Sequence, residues 1–190
     1  MAIELTLPAF PVFFATSEGQ TRRIAERFAS VLRGDGLESA TYDVANLQRA
    51  IVDWSAVRGA IVGASIHVGR HQRTVAEFVA AHVGELNRRP SLFFSVSLAA
   101  ASQDPEEVQK VLEIATAFPA AHGWTPQSVT SLAGRLAYTQ YNFIVRLLMK
   151  RIARKEGAPT DTSRDYELTD WRKVESLAHE FAAGAKVRAA

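Results

Sequence analysis

The stretch ATSEGQTRRIAERFA, Ala15 to Ala29, joins a short apolar run at residues 10–14 to what reads as a helix. Its opening residues include Thr16, Ser17, Gly19 and Thr21, three hydroxyls and a glycine. A helix start leaves backbone N–H groups unpaired and carries partial positive charge, so these residue types at that junction suit a bound anion, above all a phosphate. An ordinary strand-to-helix turn with Thr16 or Ser17 as N-cap uses the same residue types. The remainder of the chain decides between the two.

Outward from that junction, apolar β-prone runs alternate with amphipathic helical stretches. Strands are predicted at residues 10–15, 39–44, 59–64, 92–98 and, more weakly, 129–133. Helices are predicted at 20–33, 74–86 and 170–183, and a further one running to about residue 117 starts on Asp104-Pro105-Glu106-Glu107, an N-cap, a proline and an acidic first turn. Alternation of this kind with uniformly apolar strands implies a parallel sheet covered on both faces. In the doubly wound order 2-1-3-4-5, ligands bind at the carboxyl ends of the strands, where the strand order reverses. The loops after the first, third and fourth strands are then TSEGQT, GASIHVGRHQ and SLAAAS, each rich in small residues or hydroxyls. Their agreement favours a binding site over a plain turn.

Composition bounds the classes. A chain of 190 residues is expected to form a single domain over residues 1–190, and at 47% hydrophobic and 22% charged it is an ordinary globular sequence. With no cysteine, disulfides, thiolate metal sites and cysteine nucleophiles are excluded. No apolar run is long enough to span a bilayer and the first residues lack a secretory pattern, so a cytoplasmic protein is expected. Net charge is only +2, but the cations cluster. Residues 138–157, YTQYNFIVRLLMKRIARKEG, place Tyr141, Val145, Leu148 and Ile152 on one helical face and Arg146, Lys150 and Arg154 on an adjacent one. Such a helix either packs on the domain with a solvated flank or lies on an anionic membrane. No metal-ligand spacing joins His82, His122 and His179, and no aromatic platform supports nucleic-acid binding.

TSEGQT resembles the phosphate loop of flavodoxins, with Glu18 in the position of their middle hydroxyl. EGQTRRIA (18–25), VGASI (62–66) with Gly69, FFSVSL (93–98), AGRLAY (133–138) running into IVRLLMK (144–150), and TDT and TDW within 160–171 together resemble the menaquinone-dependent protoporphyrinogen dehydrogenases, a long-chain flavodoxin-like family. The resemblance implies a flavodoxin-like α/β fold with a helical insertion, about residues 136–164, interrupting the fifth strand. It implies FMN, with its phosphate on Thr16, Ser17, Glu18, Gly19, Gln20 and Thr21 and its ring between Ser65, Ile66, His67 and Gly69 on one side and Ser97, Leu98 and Ala99 on the other. Glu18 should turn outward toward Arg22 or Arg23.

The same resemblance implies oxidation of protoporphyrinogen IX, in haem biosynthesis, with menaquinone or ubiquinone as acceptor. It also implies a peripheral position on the inner face of the cell membrane. Arg70, His71 and Arg73 would meet the substrate's propionates, and Arg146, Lys150 and Arg154 the membrane. His67 is the candidate for stacking or proton transfer. The loop after the third strand has Val68 where relatives often carry an aromatic, and AAASQDPEE is acidic where relatives can be basic. Alternatives are a flavodoxin-like NAD(P)H:quinone oxidoreductase, an FMN electron carrier and a flavin-free scaffold.

Overall fold

A computed structural model describes residues 3–47, 50–67, 69–140, 147, 149–151, 153–154 and 157–189. Its centre is a parallel sheet formed by β2 (Val12–Ala15), β3 (Thr41–Asp43), β5 (Ala60–His67), β7 (Ser91–Ser97) and β8 (Ser128–Ala133). Their order is β3-β2-β5-β7-β8, which is the expected 2-1-3-4-5 when these five are counted along the chain. Val12 pairs with Ile61, and Ile61 with Leu92, so the three central strands start in step, and β5 and β7 run on past the end of β2. Pro11 has no N–H to donate, and the first strand begins only after it.

Successive side chains on a strand face opposite sides, and the sheet uses that alternation to build two cores. Phe14 and Phe94 face α1 (Gln20–Gly34) and α4 (Trp171–Ala189), meeting Ile24, Phe28, Val174 and Phe181. Phe13 and Phe93 face α2 (Arg73–Asn87) and α3 (Pro105–Ala121), meeting Val75, Phe78 and Phe118. The Asp104 side chain accepts from Glu106 N at 2.9 Å and Pro105 fills the first turn, so α3 starts as its sequence predicts. It runs to Ala121 rather than 117, with Pro119 in its last turns. At 19 residues, α4 likewise outruns its predicted end.

Three features depart from the expected outline. A parallel pair, β1 (Ile3–Thr6) with β4 (Ala50–Asp53), stands apart from the main sheet, and neither strand was anticipated because four residues carry too little periodicity to detect. β6 (Arg70–His71) folds back antiparallel onto the end of β5. The expected second half of the fifth strand does not continue that strand. Residues 166–167 form β10 (Tyr166–Glu167), which pairs antiparallel with β9 (Arg135–Leu136), just beyond β8. Gly134 between β8 and β9 accepts a backbone bond from Leu168 N at 3.1 Å. The residues between β9 and β10 therefore leave and return at one point, and 147, 149–151, 153 and 154 within them are helical.

Gly63 in the middle of β5 carries a packing constraint. A Cβ at that position would lie 1.9 Å from Cζ of Phe94, whose ring is stacked on Phe28 at 5.1 Å between centroids. With Phe28 behind it, the ring has nowhere to retreat. Gly63→Ala is therefore expected to cost about 3 kcal/mol, at the upper end of overpacking effects, as a lowered urea midpoint with unchanged slope. An unchanged midpoint would show that Phe94 swings clear.

Candidate functional site

At the carboxyl ends of β2, β5 and β7 lies a cavity of about 350 Å³. The loop after β2 and the first turn of α1 contribute Thr16, Glu18, Gln20 and Thr21. The end of β5 contributes Ser65, Ile66 and His67, and the end of β7 Val96, Ser97 and Leu98. The remaining wall is Gly134, Arg135 and Met149. Three loops predicted to converge thus do so, while Ser17, Gly19, Gly69 and Ala99 stand outside the lining.

The α1 end of the cavity is suited to an anion. Gly19 takes φ +85, a left-handed turn that glycine adopts without strain, and its N–H donates to Thr16 Oγ1 at 2.9 Å. The helix then begins at Gln20 with no side chain among the described residues capping its first N–H groups. Thr21 is 1% exposed, and its Oγ1 has no partner among the described residues. A buried hydroxyl left in that state costs roughly 1–3 kcal/mol, which an incoming acceptor recovers. A phosphate bound there would meet backbone N–H groups and this hydroxyl, so the residues fit a phosphorylated ligand.

Glu18 is exposed at the cavity wall, while Arg22 donates to Asp43 at 3.4 Å and Arg23 to Glu167 at 2.8 Å. Ser17 accepts from the Gln72 amide at 3.4 Å, and Gln72 also donates to Ser65, joining the first and third loops. Gln20 has a different part from the one its position suggested. Its buried amide nitrogen donates to Glu167 Oε1 at 2.8 Å and Thr169 Oγ1 at 2.9 Å, and its oxygen accepts from Arg23 at 2.9 Å. Thr169 in turn donates to Ala133 O at 2.8 Å. The first turn of α1 is thereby fastened to β10 and to the end of β8.

Comparison with known proteins agrees with this geometry. The flavodoxin domain family matches residues 11–163. The protoporphyrinogen IX dehydrogenase (quinone) of Escherichia coli K12 is 35% identical over 172 residues, 90% of this chain and 93% of that protein. The protein of the same name from Leishmania major is 31% identical over 180 residues, 93% of this chain and 75% of its own. The chain belongs to the protoporphyrinogen IX dehydrogenase (quinone) family of flavodoxin-domain proteins. Among solved structures, a flavodoxin from the domain Archaea superposes with TM-score 0.54 at 12% identity, covering 96% of this chain and 99% of its own. Rubredoxin oxygen:oxidoreductase of Desulfovibrio gigas gives TM-score 0.57 at 12% identity over 95% of this chain and 37% of its own. Both show the fold.

Within this family member, the group read as facing substrate divides. His67 is exposed and pairs with Arg70 across the β5–β6 hairpin, whose turn is Gly69 at φ +73. Arg70 is exposed, and Arg73 projects into solvent, bonded to Glu77 at 2.6 Å. His71 corrects the expectation. Being next to Arg70 on a strand, it points to the opposite side, where Nε2 lies 2.9 Å from Ser95 Oγ and the ring packs against Phe93 and Phe118. Burial, with a smaller push from His122, takes its pKa down to about 4.

Of the basic insertion residues, Arg146 lies outside the described residues, as do Tyr141, Val145, Leu148 and Ile152. Lys150 is half-buried, Arg151 and Arg154 are exposed, and Leu147 is 61% exposed. Met149 reaches the cavity and Ala153 is buried. Neither Met149 nor Gly134 nor Arg135 was assigned to the site from sequence, although AGRLAY stands at the carboxyl end of the fifth strand, the position that marked the other loops.

His71 makes stability depend on pH. Its folded pKa lies below the ordinary 6.5, so the unfolded chain binds the proton first, and stability present above pH 6.5 is lost as pH falls toward 4. His71→Gln, which cannot protonate, should flatten the plot of urea midpoint against pH across that window. Parallel plots for the two proteins would show that the ring protonates in the fold without cost.

Proposed function

We propose that this protein oxidises protoporphyrinogen IX to protoporphyrin IX with FMN as its cofactor and a quinone, menaquinone or ubiquinone, as final acceptor. The observation that carries the reading is the pairing of similarity over 90% of the chain to an enzyme of that name with a cavity that ends in a Thr21 hydroxyl and a helix start that have no side-chain partner or cap among the described residues. Bound FMN supplies a two-electron acceptor that a quinone can discharge. The chain supplies position and electrostatics. In this reading Gln20 and Thr21 offer backbone N–H groups to the phosphate and Thr16 and Thr21 their hydroxyls, while Ser65 to His67 and Ser97 to Ala99 flank the ring. Leu98 and Met149, both packed against the small apolar cluster of Leu136, Ala137, Tyr138 and Ala153, keep water from that side. His67, exposed at the mouth, is the group placed to take a proton from the substrate, and Arg70 the cation placed to meet a propionate.

The test is optical. Purified protein given FMN should show a bound-flavin spectrum that anaerobic protoporphyrinogen IX bleaches and a quinone restores. Bleaching by NADH with no response to the tetrapyrrole would replace this activity with that of a nicotinamide-linked quinone reductase.

Among the described residues no helix is long and apolar enough to cross a membrane. Access to a bilayer quinone then falls to the exposed cations of the insertion, Arg151 and Arg154, beside Lys150 and the exposed Leu147. These residues suit the surface of an anionic bilayer. Replacing the three cations with glutamine should weaken sedimentation with anionic vesicles on the order of 100-fold, at about 1 kcal/mol for each charge. Equal binding to neutral vesicles, or none lost in the variant, would remove the membrane role.

A further inference from the structure

We propose that Arg135, on the short ribbon beyond the fifth parallel strand, is the cation that holds the cofactor's phosphate opposite the start of α1. The inference rests on the FMN reading above and goes beyond it by closing the site with a charge that the phosphate loop lacks.

The need is one of charge. A phosphate monoester carries about −1.5 to −2 near neutral pH, whereas a helix N-terminus offers about +0.5. The loop's own cations are engaged elsewhere: Arg22 bonds Asp43 and lies 5.5 Å over the Phe14 ring, and Arg23 bonds Gln20 and Glu167. Among the described residues lining the cavity, Arg135 is the one permanent cation.

Its placement comes from strand register. Arg135 pairs with Glu167 in the antiparallel ribbon, and partners in such a pair project from the same face. The Glu167 carboxylate reaches the Gln20 amide at 2.8 Å, in the first turn of α1. The same face of the ribbon that meets α1 therefore carries Arg135. Leu136 and Tyr166, on the other face, pack into the insertion's apolar cluster. Among the described residues the ionic partner of Arg135 is Asp165, at 4.0 Å, and Asp165 Oδ1 already accepts from Thr139 N at 2.9 Å and Thr139 Oγ1 at 2.8 Å. So long a contact leaves the planar guanidinium with donors for a forked bond to phosphate oxygens.

The experiment compares FMN with riboflavin, which lacks the phosphate, by flavin fluorescence quenching on the full chain and its Arg135→Gln and Arg135→Lys variants. The preference for FMN should fall about tenfold or more in Arg135→Gln, as expected for losing a charge-assisted bond, while riboflavin affinity stays the same. Arg135→Lys should recover part of the preference. Equal losses for both flavins, or an unchanged preference, would overturn the proposal. So would an unchanged preference accompanied by a raised KM for the tetrapyrrole, which would hand Arg135 to the substrate's propionate. If the unaltered protein binds no FMN, the functional reading itself falls; if it binds FMN and Arg135→Gln does so equally well, only this assignment falls.

Discussion

A helix that starts where a central parallel strand stops leaves its first N–H groups without partners in its own turns, at the carboxyl end of the sheet. Here the strand is β2 and the helix α1, and the chain makes the turn on Gly19 rather than on a capping side chain. That one constraint organises the carboxyl end of the sheet. It fixes where an anion is welcome and leaves the Thr21 hydroxyl without a partner among the described residues. It also sets the point against which the chain after β8 has to fold.

The sheet gives this end its rigidity. Phe13 and Phe14, and Phe93 and Phe94, are adjacent pairs that project to opposite sides and lock two separate cores onto the same strands. The loops of the cavity are therefore carried on strands held from both faces, while their tips are free to vary in chemistry. Gly63 shows how close the fit is, since Phe94 covers the backbone where a side chain would stand. The half-buried His71 is part of the same support, bracing β7 through Ser95 and not reaching toward a ligand.

Much of this was legible in the chain. Apolar runs bounded by glycine, proline and hydroxyl clusters located the five parallel strands; alternation with helices made the sheet parallel, and the order 2-1-3-4-5 came with the flavodoxin-like class. The three loops with small residues were read as one site and line one cavity. What escaped has physical causes. β1, β4, β6, β9 and β10 have only two to four residues each, too few for periodicity to register, and all but β6, which folds back on β5, are held by pairing with a strand distant in sequence. Arg135 and Met149 line the cavity because β10 returns antiparallel to β9, a contact across some thirty residues that no local pattern encodes. The direction of His71 hinged on whether residues 70–71 were strand or helix start. Gln20 was assigned to the cofactor by its place in the loop, yet its amide is spent on Glu167 and Thr169.

That last bond set has an architectural meaning. The chain between Leu136 and Tyr166 begins and ends on adjacent, paired strands, and the far foot is stapled to α1 through Gln20 and to β8 through Thr169. A loop whose two feet are clamped costs little to lengthen, about 0.6 kcal/mol for each doubling, because closure entropy grows only with the logarithm of length. The insertion is thus a replaceable cartridge. The chain between its feet can change in length and sequence while the clamp keeps the cavity at the carboxyl end of the sheet in register.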